Sequence, residues 1–154
     1  MPEPRPMLTE TPVVPGSDGR KMSKSYNNGI DLTESESSML KKVRAMPTDP
    51  ARVKREDAGD PTKCNVYAFH KLFSSPSDLS WVEDGCRTAG IGCGDCKGKL
   101  FENMNKLCAE PREKKKELLN NPKQLDSIIQ AGCEKARQEA EKTMHMVRGS
   151  MGLK

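Results

Sequence analysis

The sequence predicts a mainly α-helical domain of four or five helices, preceded by a short non-helical strip. Three observations carry this expectation. Apolar residues recur at steps of three and four over two stretches, 39–46 and 125–151. The pairs Ser75-Pro76 and Asn121-Pro122 supply a cap followed by a proline at the first helical turn. Five of the eleven prolines fall within the first twenty residues, at 2, 4, 6, 12 and 15, where they impose extended or looped backbone.

Taken in order, Met7-Leu8 and Val13-Val14 are candidates for a short strand or edge piece. Thr33 with Glu36 reads as a capping box, and Met39, Leu40, Val43 and Met46 give the following helix its apolar face until Pro47 stops it. Residues 47–63, with Pro47, Pro50, Gly59 and Pro61, read as loop. A short helix is expected around Val66–Phe73, where Phe69, Leu72 and Phe73 share a face. Ser75 caps the next helix and Gly85 closes it. Gly85–Gly98 reads as a tight loop. Helical spacing resumes through Leu100, Met104 and Leu107, with Pro111 as an interruption or a new start. Asn121 caps the longest helix, whose apolar face runs from Leu125 and Ile128 to Val147 and Met151.

Composition narrows the function classes. In 154 residues, 34% are hydrophobic and 4% aromatic, and mean hydropathy is −0.78, so the core is thin for the length. No run approaches the ~20 apolar residues of a membrane span. The start has no apolar h-region, so no secretory signal is expected and the cytoplasm is the expected location. The net charge of +4 is uneven: −2 over 1–19, +3 over 20–63, −1 over 64–110 and +4 over 111–154. Two basic segments around a neutral centre permit contact with phosphates without demanding it.

Six cysteines in a chain without a secretory signal point to metal ligation or burial before disulfides. Cys64, Cys86, Cys93 and Cys96 form a C-x21-C-x6-C-x2-C array. The Cys93-Gly94-Asp95-Cys96 pair can turn both sulfurs onto one centre. Four thiolates suit a tetrahedral Zn2+ site or a 4Fe–4S cluster. One close pair and two scattered ligands lean towards the cluster. Cys108 and Cys133, which have no near partner, are expected to be buried free thiols.

The run Gly16-Ser17-Asp18-Gly19-Arg20-Lys21-Met22-Ser23-Lys24-Ser25 is a glycine-led loop whose donors suit anionic oxygen. Lysines on such a loop can meet the charge that develops on a polyphosphate leaving group. Lys21-Met22-Ser23-Lys24-Ser25 resembles the KMSKS loop of class I aminoacyl-tRNA synthetases. The flanking Pro15–Arg20 and Tyr26-Asn27-Asn28, Thr48-Asp49-Pro50-Ala51-Arg52-Val53, and the closing Lys135-Ala136-Arg137, Lys142-Thr143-Met144 and Val147-Arg148 are similar to the tryptophanyl branch. The likeness extends over essentially the whole chain. The four-cysteine array is similar to that of the bacterial subset with a 4Fe–4S cluster in the anticodon-binding domain.

The resemblance implies ATP-dependent activation of tryptophan, with Mg2+, followed by transfer to its tRNA. Lys21 and Lys24 would stabilise the triphosphate, Ser23 and Ser25 would hold the turn and contact phosphate, and Met22 would pack the loop against the domain. Residues 1–30 would be the C-terminal edge of the Rossmann-like α/β nucleotide-binding domain, and 31–154 a helical anticodon-binding domain. A homodimer is implied, with no DNA or membrane partner. The family's other motif, H-I-G-H, has no counterpart, since neither His70 nor His145 lies in such a context. The chain thus resembles a C-terminal half, expected to be inactive alone. A non-catalytic tRNA-binding module and a tyrosyl-type synthetase are the rival readings. Because the array lies well along the chain from the lysine loop, its expected role is structural and separate from activation.

Overall fold

A computed structural model describes residues 3–9 and 11–153, and among these the only regular secondary structure is helical. The order is α1 (Glu36–Ala45), α2 (Asn65–Phe73), α3 (Pro76–Arg87), α4 (Cys93–Asn120) and α5 (Pro122–Ser150), with 3-10 turns at Lys24–Tyr26 and Pro61–Lys63. The mainly α expectation holds. The N-terminal strip forms no strand among the described residues. Its one ladder contact is an isolated antiparallel bridge between Pro15 and Lys21.

Local chemistry sets most of the boundaries. Ser75 Oγ accepts from the Asp78 amide, and Asn121 from the Gln124 amide, each with proline in the first turn, as the sequence indicates. Three expectations are corrected. The cap of α1 is Ser35, not Thr33, because Asp31 Oδ1 accepts from both the Thr33 amide and hydroxyl, 2.6 Å each, while Ser35 Oγ accepts from Ser38. Gly85 lies inside α3, which runs on to Arg87, and the loop that follows spans only 88–92. Pro111 does not break α4, although it supplies no N–H to the Leu107 carbonyl.

Two compact units divide the chain, one ending at Arg112 and one beginning at Glu113. The first holds a core of Met39, Val43 and Met46 from α1 and its end, Val66 and Phe69 from α2, and Leu100, Met104 and Cys108 from α4. Lys97 Nζ donates to the Arg44 and Met46 carbonyls, both at 2.7 Å, satisfying the end of α1. Arg112 Nε donates to the Glu34 carbonyl at the start of that helix. In the second unit α5 contains no buried residue, and Ile128 and Ile129 are each 53% exposed. On the apolar face read from its spacing, Leu125 and Val147 are half-buried and the other residues are exposed. Cys108 is buried as expected, whereas Cys133 is exposed. No helix among the described residues is long and apolar enough to cross a membrane.

Candidate functional site

The lysine loop is built around one buried amide. Asn28, 2% exposed, accepts at Oδ1 from the Ser23 amide (2.8 Å) and donates from Nδ2 to Asp18 Oδ1 (2.7 Å) and the Lys21 carbonyl (3.2 Å). Its carbonyl accepts from the Ser17 amide at 2.8 Å. A Cβ on Gly16 would sit 2.1 Å from Asn28 Nδ2, and Gly19 has φ +85°, so glycine is required at both for separate reasons. The Asn28 hydrogen bond, with Arg20 beside it, holds the Asp18 carboxyl below its usual value. Arg20 pairs with Asp18 and lies over the Tyr26 ring, 4.3 Å from its centroid.

Within that frame the five motif residues take distinct positions. Lys21, Lys24 and Ser25 are exposed, and among the described residues neither lysine is paired with a carboxylate. Ser23 Oγ accepts from the Ser25 amide (3.2 Å) and so caps the turn that carries Lys24. Met22 packs against the hydrophobic core together with Ile30. Two bonds anchor the ends of the loop. Asn65 Nδ2, at the start of α2, donates to the Gly16 carbonyl (3.0 Å), and Lys42 Nζ from α1 donates to the Gly29 carbonyl (2.8 Å).

The four array cysteines line one cavity of about 20 Å³, with Arg52 and Ile91 also in its wall. They arrive from three places. Cys64 stands at the N-cap position of α2, Cys86 lies in the last turn of α3, and Cys93 and Cys96 lie in the first turn of α4. Burial, with Cys64, Cys86 and Cys93 as neighbours, pushes the Cys96 thiol up to about 12. Burial also raises Cys86, and the Arg52 guanidinium opposes this. Converging thiols of this kind suit a centre with four thiolate ligands chemically, since positive charge brought among them favours the thiolate. Among the described residues, no group of three or more His, Cys, Asp or Glu is arranged so that it could hold a metal ion.

Two polar residues that contact the array cysteines escape sequence reasoning. Arg52, 9% exposed, donates from Nη2 to the carbonyls of Ile91 (2.6 Å) and Arg55 (3.0 Å), and its Nη1 stands 3.9 Å from Cys86 Sγ. It also lines an open groove of about 450 Å³ that includes Lys54 and Arg55. His70, fully buried on α2, places Nε2 3.1 Å from the Cys96 carbonyl. Burial holds its imidazole below the ordinary value. Nothing in the sequence marks His70. Arg52 could have been flagged only as part of the Thr48–Val53 run.

The family model for "tRNA synthetases class I (W and Y)" matches residues 1–109. A tryptophan–tRNA ligase of Ralstonia nicotianae is 45% identical over 99% of this chain and 38% of its own length. One from Thermotoga maritima is also 45% identical, over 99% of this chain and 47% of its own. A crystal structure of the Campylobacter jejuni tryptophanyl-tRNA synthetase, complexed with ADP and tryptophan, superposes with a TM-score of 0.79 at 38% identity. It covers 94% of this chain and 44% of the Campylobacter chain. The chain thus spans less than half the length of these relatives. With the matched residues extending through the lysine loop and the cysteine array, the chain belongs to the class I tRNA synthetases of the tryptophan and tyrosine branch.

Proposed function

We propose that this chain is the part of a tryptophan–tRNA ligase that supplies the KMSKS loop and recognises the anticodon. ATP, with Mg2+, and tryptophan give the adenylate and pyrophosphate, and the amino acid then passes to its tRNA. The observation that carries the reading is the loop itself: Lys21 and Lys24 are exposed on a turn whose backbone is fixed by Asn28 and Ser23. Cations on such a loop act on charge that grows at the leaving pyrophosphate, which is stronger in the transition state than in bound ATP. Ser23 and Ser25 hold the turn and face phosphate, and Met22 seats the loop on the core. A purely RNA-binding module has no use for this clamp.

The helical remainder supports the tRNA-binding half of the reading. Lys54 and Arg55 line an open groove beside Cys93, a placement suited to backbone phosphate. Cys64, Cys86, Cys93 and Cys96 line one cavity but are not arranged here to hold a metal ion; in this reading they would close around a 4Fe–4S cluster, with Zn2+ as the alternative. When bound it supplies no electron to aminoacylation and serves to fix the three segments that carry its ligands. In this reading the complete enzyme would work as a homodimer in the cytoplasm. Grafting this chain in place of the matching stretch of the Thermotoga maritima ligase tests the reading. The hybrid should charge tRNA with tryptophan, and a soluble hybrid that binds tryptophan but forms no adenylate would overturn it.

A further inference from the structure

The sequence separates the lysine loop from the first array cysteine by some forty residues, yet in the fold they lie one residue apart in effect. Cys64 occupies the N-cap position of α2 and its side chain makes no capping bond. The next residue, Asn65, turns its amide away from the helix and onto the loop, donating from Nδ2 to the Gly16 carbonyl at 3.0 Å. The same side chain is what a Cβ on Gly19 would meet first, at 3.8 Å. Gly16 and Gly19 bracket the turn that leads into Lys21, and the Gly19 amide bonds back to the Gly16 carbonyl at 3.0 Å. That carbonyl therefore accepts from the loop and from α2 together.

We propose that Asn65 is a positioning residue for the lysine loop. It fixes the Gly16–Gly19 turn, and with it the approach of Lys21 and Lys24, to the cysteine-bearing end of α2. Lys42 anchors the far end at Gly29, so the loop is held to the helices at both ends. The inference deepens the reading of Lys21–Ser25 as a triphosphate clamp and rests on it for its consequence in catalysis. Its structural content stands separately. Asn65 touches no substrate in this account and acts through the loop.

The test uses the 154-residue chain and three variants. Asn65→Asp keeps the shape but replaces the donor by an acceptor that repels the Gly16 carbonyl. As an acid in the first turn of α2 it favours the helix, so a merely structural role for Asn65 predicts equal or higher thermal stability and an unchanged loop. The positioning role predicts that hydrogen exchange at the amides of Gly16, Ser17, Gly19, Met22 and Ser23 accelerates roughly fivefold, as for the loss of one ordinary hydrogen bond. Exchange at Phe69 and His70 within α2 should stay as in the parent. Asn65→Ala should accelerate the same loop amides, and Asn65→Gln, which keeps a donor, should stay within about twofold of the parent. Unchanged loop exchange in Asn65→Asp and Asn65→Ala overturns the proposal. So does acceleration spread evenly over α2 and the loop, or a Gln variant as loose as Asp. Failure of the clamp reading would show elsewhere, as unimpaired activation when Lys24 is removed from the grafted ligase.

Discussion

His70 Nε2 lies 3.1 Å from the carbonyl oxygen of Cys96 and 3.4 Å from its Sγ, joining the middle of α2 to the first turn of α4. A carbonyl can only accept, so Nε2 carries the proton and Nδ1 of the neutral ring accepts from the Ser74 hydroxyl at 2.6 Å. Asn103 Nδ2 donates to that hydroxyl oxygen at 3.0 Å, completing a directional chain of bonds from α4 through α2 and back to Cys96. His70→Ala empties a fully buried site and leaves two polar groups without their partner. It should lower unfolding stability by about 3 kcal/mol in urea titrations. A loss below about 1 kcal/mol would mean that the chain of bonds contributes little.

Asp49 organises the loop between α1 and α2. Its carboxylate is held below the usual value first by the Asp60 amide and then by the Ala51 amide, at 2.8 and 3.0 Å. Because the folded value is depressed, its contribution is full above the unfolded value of about 4 and is lost as pH falls through the folded one. Asp49→Asn should therefore lower the thermal midpoint at pH 7 and close much of that gap near pH 3. Parallel midpoint curves for parent and variant across this window would contradict the linkage.

Gly16→Ala should disorder the lysine loop while sparing the helices. The added Cβ meets Asn28 Nδ2 at 2.1 Å, and Asn28 cannot yield without giving up its bonds to Ser23, Asp18 and Lys21. A cost of about 2 kcal/mol, local to residues 16–28, is expected. Limited trypsinolysis checks it, since cleavage after Lys21 and Lys24 should become many times faster. Cleavage at the parent rate would show that the loop tolerates the methyl group.

Prepared without oxygen, the chain should be brown, with broad absorbance near ~400 nm and roughly four irons per chain. Replacing Cys93 or Cys96 by serine should abolish the colour and, in the grafted ligase, weaken tRNA charging. The sequence suggests that such changes leave adenylate formation nearly intact, because the array is distant along the chain. α2 alters that expectation for Cys64, whose neighbour Asn65 holds the loop. Cys64→Ser should slow adenylate formation more than Cys93→Ser does. Colourless protein carrying one zinc would turn the assignment to a tetrahedral structural site.

Much of the fold is legible in the sequence because its signals are local. Ser75-Pro76 and Asn121-Pro122 begin helices through bonds made within three residues. Failures arise where a neighbour competes. Asp31 takes Thr33 out of contention as a cap, and Ile91 needs the space that a side chain at Gly85 would fill, so a glycine that looks like a stop sits inside α3. The motif lysines can be named from the KMSKS resemblance, and the four cysteines from their spacing. The roles of Asn28, Asn65, His70 and Arg52 cannot be read this way, because each also bonds a partner ten to forty-nine residues away, which no local pattern encodes. The largely exposed apolar face of α5 shows the converse: helical spacing fixes which residues share a face, not whether that face is covered.

The most direct test of the account is single-turnover adenylate formation by the grafted ligase carrying Lys24→Ala. Lys24 is exposed on the capped turn, and in the proposed reading it would meet charge that is fully developed only in the transition state. Loss of that interaction costs about 3 kcal/mol, or a rate lower by about a hundredfold, with tryptophan affinity unchanged. An unchanged rate of activation with tryptophan binding lost would contradict the assignment of this loop.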